Sequence, residues 1–253
     1  MARAISPSRN PQFLEPGGHT AYGGMIDYRL NKLAAHGLIR GDWLDCGCAE
    51  GYYAVALVER GADSVVGIDV IEERVEAAKA LPHPPSVSFR LAGAERLPFD
   101  DASFDAVLVN EVLEHVTDEN ASLLEILRVL RPGGHMALFG PNRWFPFEGH
   151  GARLPSGREL ISVPVPIMPW LPARLTRQFA TARNYWPSEM RALVEDAGFE
   201  IAACERALAQ FDRYRWMPQR AIEEYRRRIP QIERSPLARF AAVSTFIVAR
   251  KPA

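Results

Sequence analysis

The stretch Trp43–Tyr53, WLDCGCAEGYY, constrains the fold more than any other part of the chain. An apolar run ends at Asp45, two glycines (Gly47 and Gly51) bracket a short turn, and an aromatic-apolar run follows. The pattern predicts a buried strand turning sharply into a helix, with bare backbone at the junction. About twenty residues on, VVGID predicts a second buried strand that closes on the acid Asp69, a spacing that suits a ribose diol. Together these features point to a nucleoside-containing cofactor.

The turn itself narrows the choice. A dinucleotide site needs G-x-G-x-x-G, whose middle glycine lets a pyrophosphate approach the backbone, but here Ala49 stands at that place. Asp45 and Glu50 would repel phosphates and attract an ammonium group. No Gly-Lys-Ser/Thr follows, which excludes a Walker loop. The turn therefore prefers a cofactor with a cationic end and no phosphate, a description that S-adenosylmethionine meets.

Beyond the turn, strand and helix patterns alternate. Expected helices are Met25–His36, Tyr53–Arg60, Glu72–Ala80, Asn120–Leu130 and Pro187–Gly198, the last with Ser188 as N-cap. Expected strands are Trp43–Cys46, Ser64–Asp69, Val87–Leu91, Phe104–Asn110 and His135–Phe139, with Phe199–Ala207 and Val243–Arg250 as a closing antiparallel pair. Such alternation predicts an α/β fold, a parallel sheet with helices on both faces and ligands at the carboxyl ends of the strands. Asp45, Asp69, Ala94, Asn110 and Gly140 all fall at or just past those ends.

The motifs D-x-G-C-x-x-G (Asp45–Gly51), VVGID, AERLPFDDASFDAV, EVLEHV and LRPGG occur in that order. In this the chain resembles class I S-adenosylmethionine-dependent methyltransferases, most closely the type 11 or ubiquinone/menaquinone-type branch. The resemblance covers roughly residues 40 to 140, and more weakly 185 to 204. It implies a Rossmann-like, doubly wound, mostly parallel seven-stranded sheet whose final strand is antiparallel. It also implies that Asp45, Gly47 and Cys48 hold the methionine end and that Gly51 allows close approach at the helix start. Asp69 would take the ribose, with Val70 or Ile71 beside the adenine. Gly93, Ala94 and Glu95 belong to the adenine end, and Asn110 completes the set. Gly93 departs from the pattern, since relatives commonly carry an acid there for the adenine amino group; Glu95 or water could substitute.

In some relatives an E-x-x-E-H run holds a divalent metal, so Glu111, Glu114 and His115 form a candidate metal set. The alternative is helix-start acids, with His115 touching the substrate. His150 follows the aromatic run Pro141–Phe147 and, with Arg143 and Glu148, reads as substrate wall; it is a candidate general base, as a histidine titrates near neutral pH. His150, His115 and Glu111 are thus the candidate catalytic residues. His19 and Tyr22 are weaker candidates in an N-terminal flap and helix (residues 1–40) preceding a methyltransferase domain (41–253). Two irregular inserts, about 141–185 and 212–240, are expected to cover the substrate. The first contains ISVPVPIMPWLPARL, whose prolines exclude a long helix and suit an apolar lid. The second is arginine-rich but diluted by Glu223, Glu224 and Glu233.

Thirty basic against 31 acidic residues give no global pull toward nucleic acid. Cys46, Cys48 and Cys204 offer no disulfide or zinc framework, and Cys46 and Cys48 read as small side chains filling the turn. No run approaches the roughly 18 apolar residues of a membrane span, and a cytoplasmic location is expected. The expected reaction is O-methylation of a small or lipid-linked metabolite. The alternatives are an RNA- or protein-modifying enzyme docking through the arginine-rich insert, and a non-catalytic cofactor-binding scaffold.

Overall fold

The structure, a computed structural model, describes residues 19–153, 156, 159–160, 165–176, 179–210 and 218–253. The flap expected over the first 18 residues, positions 161–164 of the proline-rich run and the start of the arginine-rich insert lie outside the described residues. So do the side chains of His19 and Tyr22.

Five strands alternate with helices as the apolar periodicity requires: α1 (His19–Ala35), β1 (Asp42–Cys46), α2 (Tyr52–Glu59), β2 (Ser64–Asp69), α3 (Glu72–Ala80), β3 (Val87–Leu91), β4 (Phe104–Asn110), α4 (Glu119–Val129) and β5 (Leu130–Pro141). After the first insert come α5 (Pro187–Asp196), β6 (Glu200–Leu208), α6 (Gln219–Arg234) and β7 (Ala242–Arg250). The sheet runs β6-β7-β5-β4-β1-β2-β3. Only β7 is antiparallel to its neighbours, pairing with β5 on one side and β6 on the other. Strand order reverses between β1 and β4, which opens a crevice at their carboxyl ends.

Alternation along each strand splits the core in two. Leu44, Val107, Val109, Leu138 and Ile247 face one side, where Leu123 and Ile126 of α4 and Met190 and Val194 of α5 cover them. Trp43, Leu108, Phe139 and Phe246 face the other, under Leu30 and Leu33 of α1, Leu57 of α2 and Val75 of α3. Sheets buried on both faces read as continuous apolar runs, which is why β4, FDAVLVN, was plain in the sequence.

Two expectations are corrected. β5 begins at Leu130, not His135: Leu130 already pairs with Phe104, and the Pro-Gly-Gly segment is absorbed as an irregularity in register before Ala106–His135. Ser188 does not cap α5; Pro187 takes the first helical position, and the Trp186 amide donates to the Glu189 carboxylate at 3.0 Å.

The described part of the first insert forms two short antiparallel pairs, Phe147–Glu148 with Val165–Pro166 and Ala152–Arg153 with Glu159–Leu160. A 3₁₀ turn (Met168–Trp170) and a single helical turn (Ala173–Thr176) follow. Among the described residues no helix is long and apolar enough to cross a membrane.

Gly51 shows how tightly the first βα turn is set. Its φ is 84°, and an added Cβ would lie 2.5 Å from Phe89 Cζ. Gly51→Ala should therefore lower unfolding free energy by about 2–3 kcal/mol, from backbone strain plus overpacking. Urea denaturation reads this directly, and a change below about 0.5 kcal/mol would refute the packing argument.

Candidate active site

Three left-handed residues shape the turn after β1: Gly47 (φ 79°), Ala49 (φ 48°) and Gly51. The amides of Gly47 and Cys48 both donate to the Ile68 carbonyl at 2.8 Å, fastening the turn to β2. A Cβ at Gly47 would collide with the Val112 side chain. Asp69 ties the next loop in, its two oxygens accepting from Ala49 N (3.0 Å) and Ile71 N (2.9 Å). Asp45 lies fully buried beneath this turn, and its Oδ2 has no hydrogen-bond partner. Burial, and then the nearby charge of Asp69, push its carboxyl up to about 7. Burial likewise raises the Cys46 thiol to about 12 and the Cys48 thiol further, leaving both neutral and unreactive.

At the tip of β2, Val70 is 56% exposed, unusual for an apolar residue beside a buried strand end. Gly93 lies next to it; a Cβ there would sit 3.3 Å from Val70 Cγ1. Ala94 is buried. Glu95, weighed as a replacement acceptor for adenine, turns away: one of its oxygens takes the amides of Thr117 (2.6 Å) and Asp118 (3.0 Å) at the entry to α4.

The end of β4 holds a buried charge that sequence reasoning missed. Arg29, on the apolar face of α1, donates to Asn110 Oδ1, to Glu111 Oε1 at 2.6 Å and to Ser244 Oγ at 3.0 Å, and its guanidinium lies 4.8 Å above the Phe139 ring. The Ser244 hydroxyl donates in turn to Glu111, and the Tyr53 hydroxyl is hydrogen-bonded to Asn110. Burial alone would raise the Glu111 carboxyl, but Arg29, His150 and Ser244 outweigh it and hold it below the ordinary range. Glu111 carries a φ of 55°, which turns the chain out of the sheet at this point.

One turn on, Glu114, His115 and His150 converge. Their ligating atoms all lie within 4.8 Å of one another. Glu114 is fully buried, and its carboxyl is raised well above the ordinary range by burial and by Glu111. His115 is pushed down to about 3 by burial and by His150, so it is neutral near pH 7. His150 Nδ1 lies 3.0 Å from Glu148 Oε1, which also accepts the His150 amide at 2.9 Å. The buried Glu148 is anchored on its other oxygen by the Asn184 side-chain amide. The Glu148 carboxylate at Nδ1 orients the ring, and Nε2 lies 3.5 Å from Glu114 Oε1. Of the metal set expected from the sequence, Glu114 and His115 converge with His150 rather than with Glu111. Arg29 and Ser244 engage Glu111, and His150 takes its place beside Glu114 and His115. Arg143, read as substrate wall, is instead a strut to the first insert, donating to Pro169 O at 2.5 Å and Leu171 O at 2.8 Å.

This arrangement, with its glycine turn, strand-tip acids and crevice at the point of strand reversal, matches known proteins. The family described as a methyltransferase domain, type 11, matches residues 44–138. S-adenosylmethionine is the cofactor that goes with it. A Mycolicibacterium smegmatis protein named a probable S-adenosylmethionine-dependent methyltransferase is 34% identical over 167 residues, spanning 66% of this chain and 55% of that one. An O-methyltransferase of Aspergillus sclerotiorum is 39% identical over 99 residues, 38% of either chain. The chain thus spans about half, or less, of these relatives' length. The crystal structure of an S-adenosylmethionine-dependent methyltransferase from Mesorhizobium loti shares the fold, with a TM-score of 0.61 at 18% identity over 89% of this chain and 99% of that one.

The signal for Arg29 was an arginine on a helix stripe otherwise formed by Ile26, Leu30 and Leu33. Removing one partner of a buried, hydrogen-bonded charge leaves the other uncompensated. Arg29→Met should cost about 3–5 kcal/mol in urea unfolding, and adding Glu111→Gln should recover part of that loss. Strictly additive losses would show that the pair is not coupled.

Proposed function

We propose that the chain is an S-adenosylmethionine-dependent methyltransferase acting on a hydroxyl of a small or lipid-linked metabolite, in the cytoplasm. The observation that carries the cofactor half of this reading is Asp45 Oδ2, a buried carboxylate oxygen without a partner beside the bare backbone of Gly47 and Cys48. It is a counter-charge suited to an ammonium group. Gly51 would admit close approach at the start of α2, Asp69 would take the ribose hydroxyls, and the exposed Val70 would lie against the adenine with Gly93 and Ala94. Because Glu95 is engaged at the entry to α4, the adenine amino group is left to backbone and water. Asn110 supports this floor through its bonds to Arg29 and Tyr53.

When bound, the sulfonium supplies an electrophilic methyl group. The chain's own residues have two tasks, to place the acceptor oxygen and to remove its proton. His150 would take the proton of the acceptor hydroxyl as its oxygen gains the methyl group, whose bond to the sulfonium sulfur breaks to leave a neutral thioether, and Glu148 would stabilise the resulting imidazolium. Neutral His115 and protonated Glu114 present polar edges to the acceptor, while Glu111 stays ionised against Arg29. The inserts at 141–185 and 212–240 wall the site from water. The O-methyltransferase relative supports oxygen as the acceptor atom. Docking of RNA or protein on the second insert is less favoured, since Glu224 pairs with both Arg227 and Arg228 there.

Two measurements test this reading. Asp45, with its folded carboxyl raised to about 7, keeps a proton that the unfolded chain has already lost. Its contribution to stability is present at low pH and is lost as pH rises through 7. An ammonium group needs the ionised form, so cofactor binding should weaken about tenfold per pH unit below 7 and release a proton there. Calorimetry in buffers of different ionisation enthalpy measures both, and Asp45→Asn should bind weakly with a flat pH profile. A wild-type affinity independent of pH between 5.5 and 8 (roughly the range spanning that titration) would sink the role of Asp45. For the second, His150→Ala should lower turnover about 10²–10³-fold with cofactor affinity nearly unchanged. Wild-type enzyme stripped with a chelator should keep its activity, because proton removal by His150 requires no metal. Loss of activity on chelation, restored by a divalent ion, would replace the base by a metal at Glu114, His115 and His150.

A further inference from the structure

Nine large apolar side chains are exposed among the described residues, and six of them gather in one region: Phe147, Ile167, Trp170, Leu171, Leu175 and Leu237. They are far apart in sequence but linked in space. Phe147 pairs in register with Pro166, and the Ile167 amide donates to Pro146 O at 2.6 Å. The Trp170 ring lies 6.4 Å from Phe240, whose 3₁₀ turn carries Leu237. Ile167 has a φ of 66°, a conformation that costs a β-branched residue energy, yet its side chain is 56% exposed rather than buried in return. Scattered exposed apolar residues are ordinary, whereas a cluster of this kind marks a surface that meets something apolar.

Charge says what it meets. From Leu160 to Ser188 the sequence has no acidic residue, and none occurs from Ser235 to Ala253; both stretches carry arginines. Arg174 is exposed between Leu171 and Leu175. Arg239 is exposed beside Leu237, its guanidinium 4.8 Å from the rings of Trp144 and Phe240. Apolar side chains including a tryptophan, rimmed by arginines and free of acids, match the boundary of an anionic lipid bilayer, where rings and aliphatic groups enter the interface and cations meet head groups. A second protein would call for acids to be met as well, and this face offers cations alone. Arg143 holds the patch firm by its bonds to Pro169 and Leu171, so its side chains are presented rather than folded away.

We propose that this face, built from the 3₁₀ turn and short helix of the first insert together with Leu237 and Arg239, docks the protein on anionic lipid surfaces. The inference does not depend on the methyl-transfer reading, since vesicle binding is measured without turnover. Full-length protein should co-sediment with vesicles of phosphatidylcholine and phosphatidylglycerol in equal parts, and about tenfold less with phosphatidylcholine alone. Binding should weaken as salt rises. Trp170→Ser with Leu171→Ser should lower it by about tenfold or more, and Arg174→Gln with Arg239→Gln should remove the preference for anionic lipid. All four side chains are exposed and none is among the residues proposed to bind the cofactor or move the proton, so both variants should stay folded and keep cofactor affinity. Equal pelleting with and without vesicles would overturn the proposal, as would unchanged binding by the Trp170/Leu171 variant. Concentration-dependent dimerisation that this variant abolishes, with no vesicle binding, would assign the face to a second copy of the chain instead.

Discussion

A guanidinium without water must be met by acceptors, and the site is organised around how Arg29 is met. Its three partners come from two places: Asn110 and Glu111 at the end of β4, and Ser244 in β7. An isolated buried cation would cost far more than a small domain can supply, so α1, β4 and β7 are fixed relative to one another by this one requirement. The same pairing holds the Glu111 carboxyl below the ordinary range, and after burial the charge of Glu111 is the main reason that the Glu114 carboxyl beside it is raised. Two adjacent carboxyl groups are thereby pushed in opposite directions.

The cofactor end works by a different economy, in which side chains are withheld. Gly47 and Gly51 sit at left-handed angles, and each has a neighbour, Val112 or Phe89, where a Cβ would be. Their absence of side chains is thus required by the protein's own packing before any ligand is considered. Asp69 is similarly double-purposed, joining the first two βα loops through Ala49 and Ile71 while standing at the strand tip. The residues that hold the turn rigid are the ones we propose to meet the cofactor, a turn that would then need little rearrangement to bind.

The parallel strands and the turn were legible because their signals are local. A strand buried on both faces is an unbroken apolar run, and a left-handed turn asks for glycine within a few residues. The convergence of Glu114, His115 and His150 was not legible, because it depends on how an insert without periodicity folds back over β4. The Arg29–Glu111 pair joins residues 82 apart and follows from no local pattern. Glu95 shows the opposite case: its neighbourhood in sequence suggests a ligand contact, while one of its carboxylate oxygens is taken by the start of α4.

The position of β7 bears on how the protein is made. It is the last strand in the chain, yet it lies inside the sheet, between β5 and β6. During synthesis β5 must therefore wait with an open edge until residues 242–250 leave the ribosome. Until then Arg29 also lacks Ser244, so a chain cut short would carry both an unpaired edge and an under-satisfied cation. Either defect is the kind of exposed flaw that chaperones and proteases act on. A translation product truncated before residue 242 would thus be marked for removal with its Arg29 network incomplete.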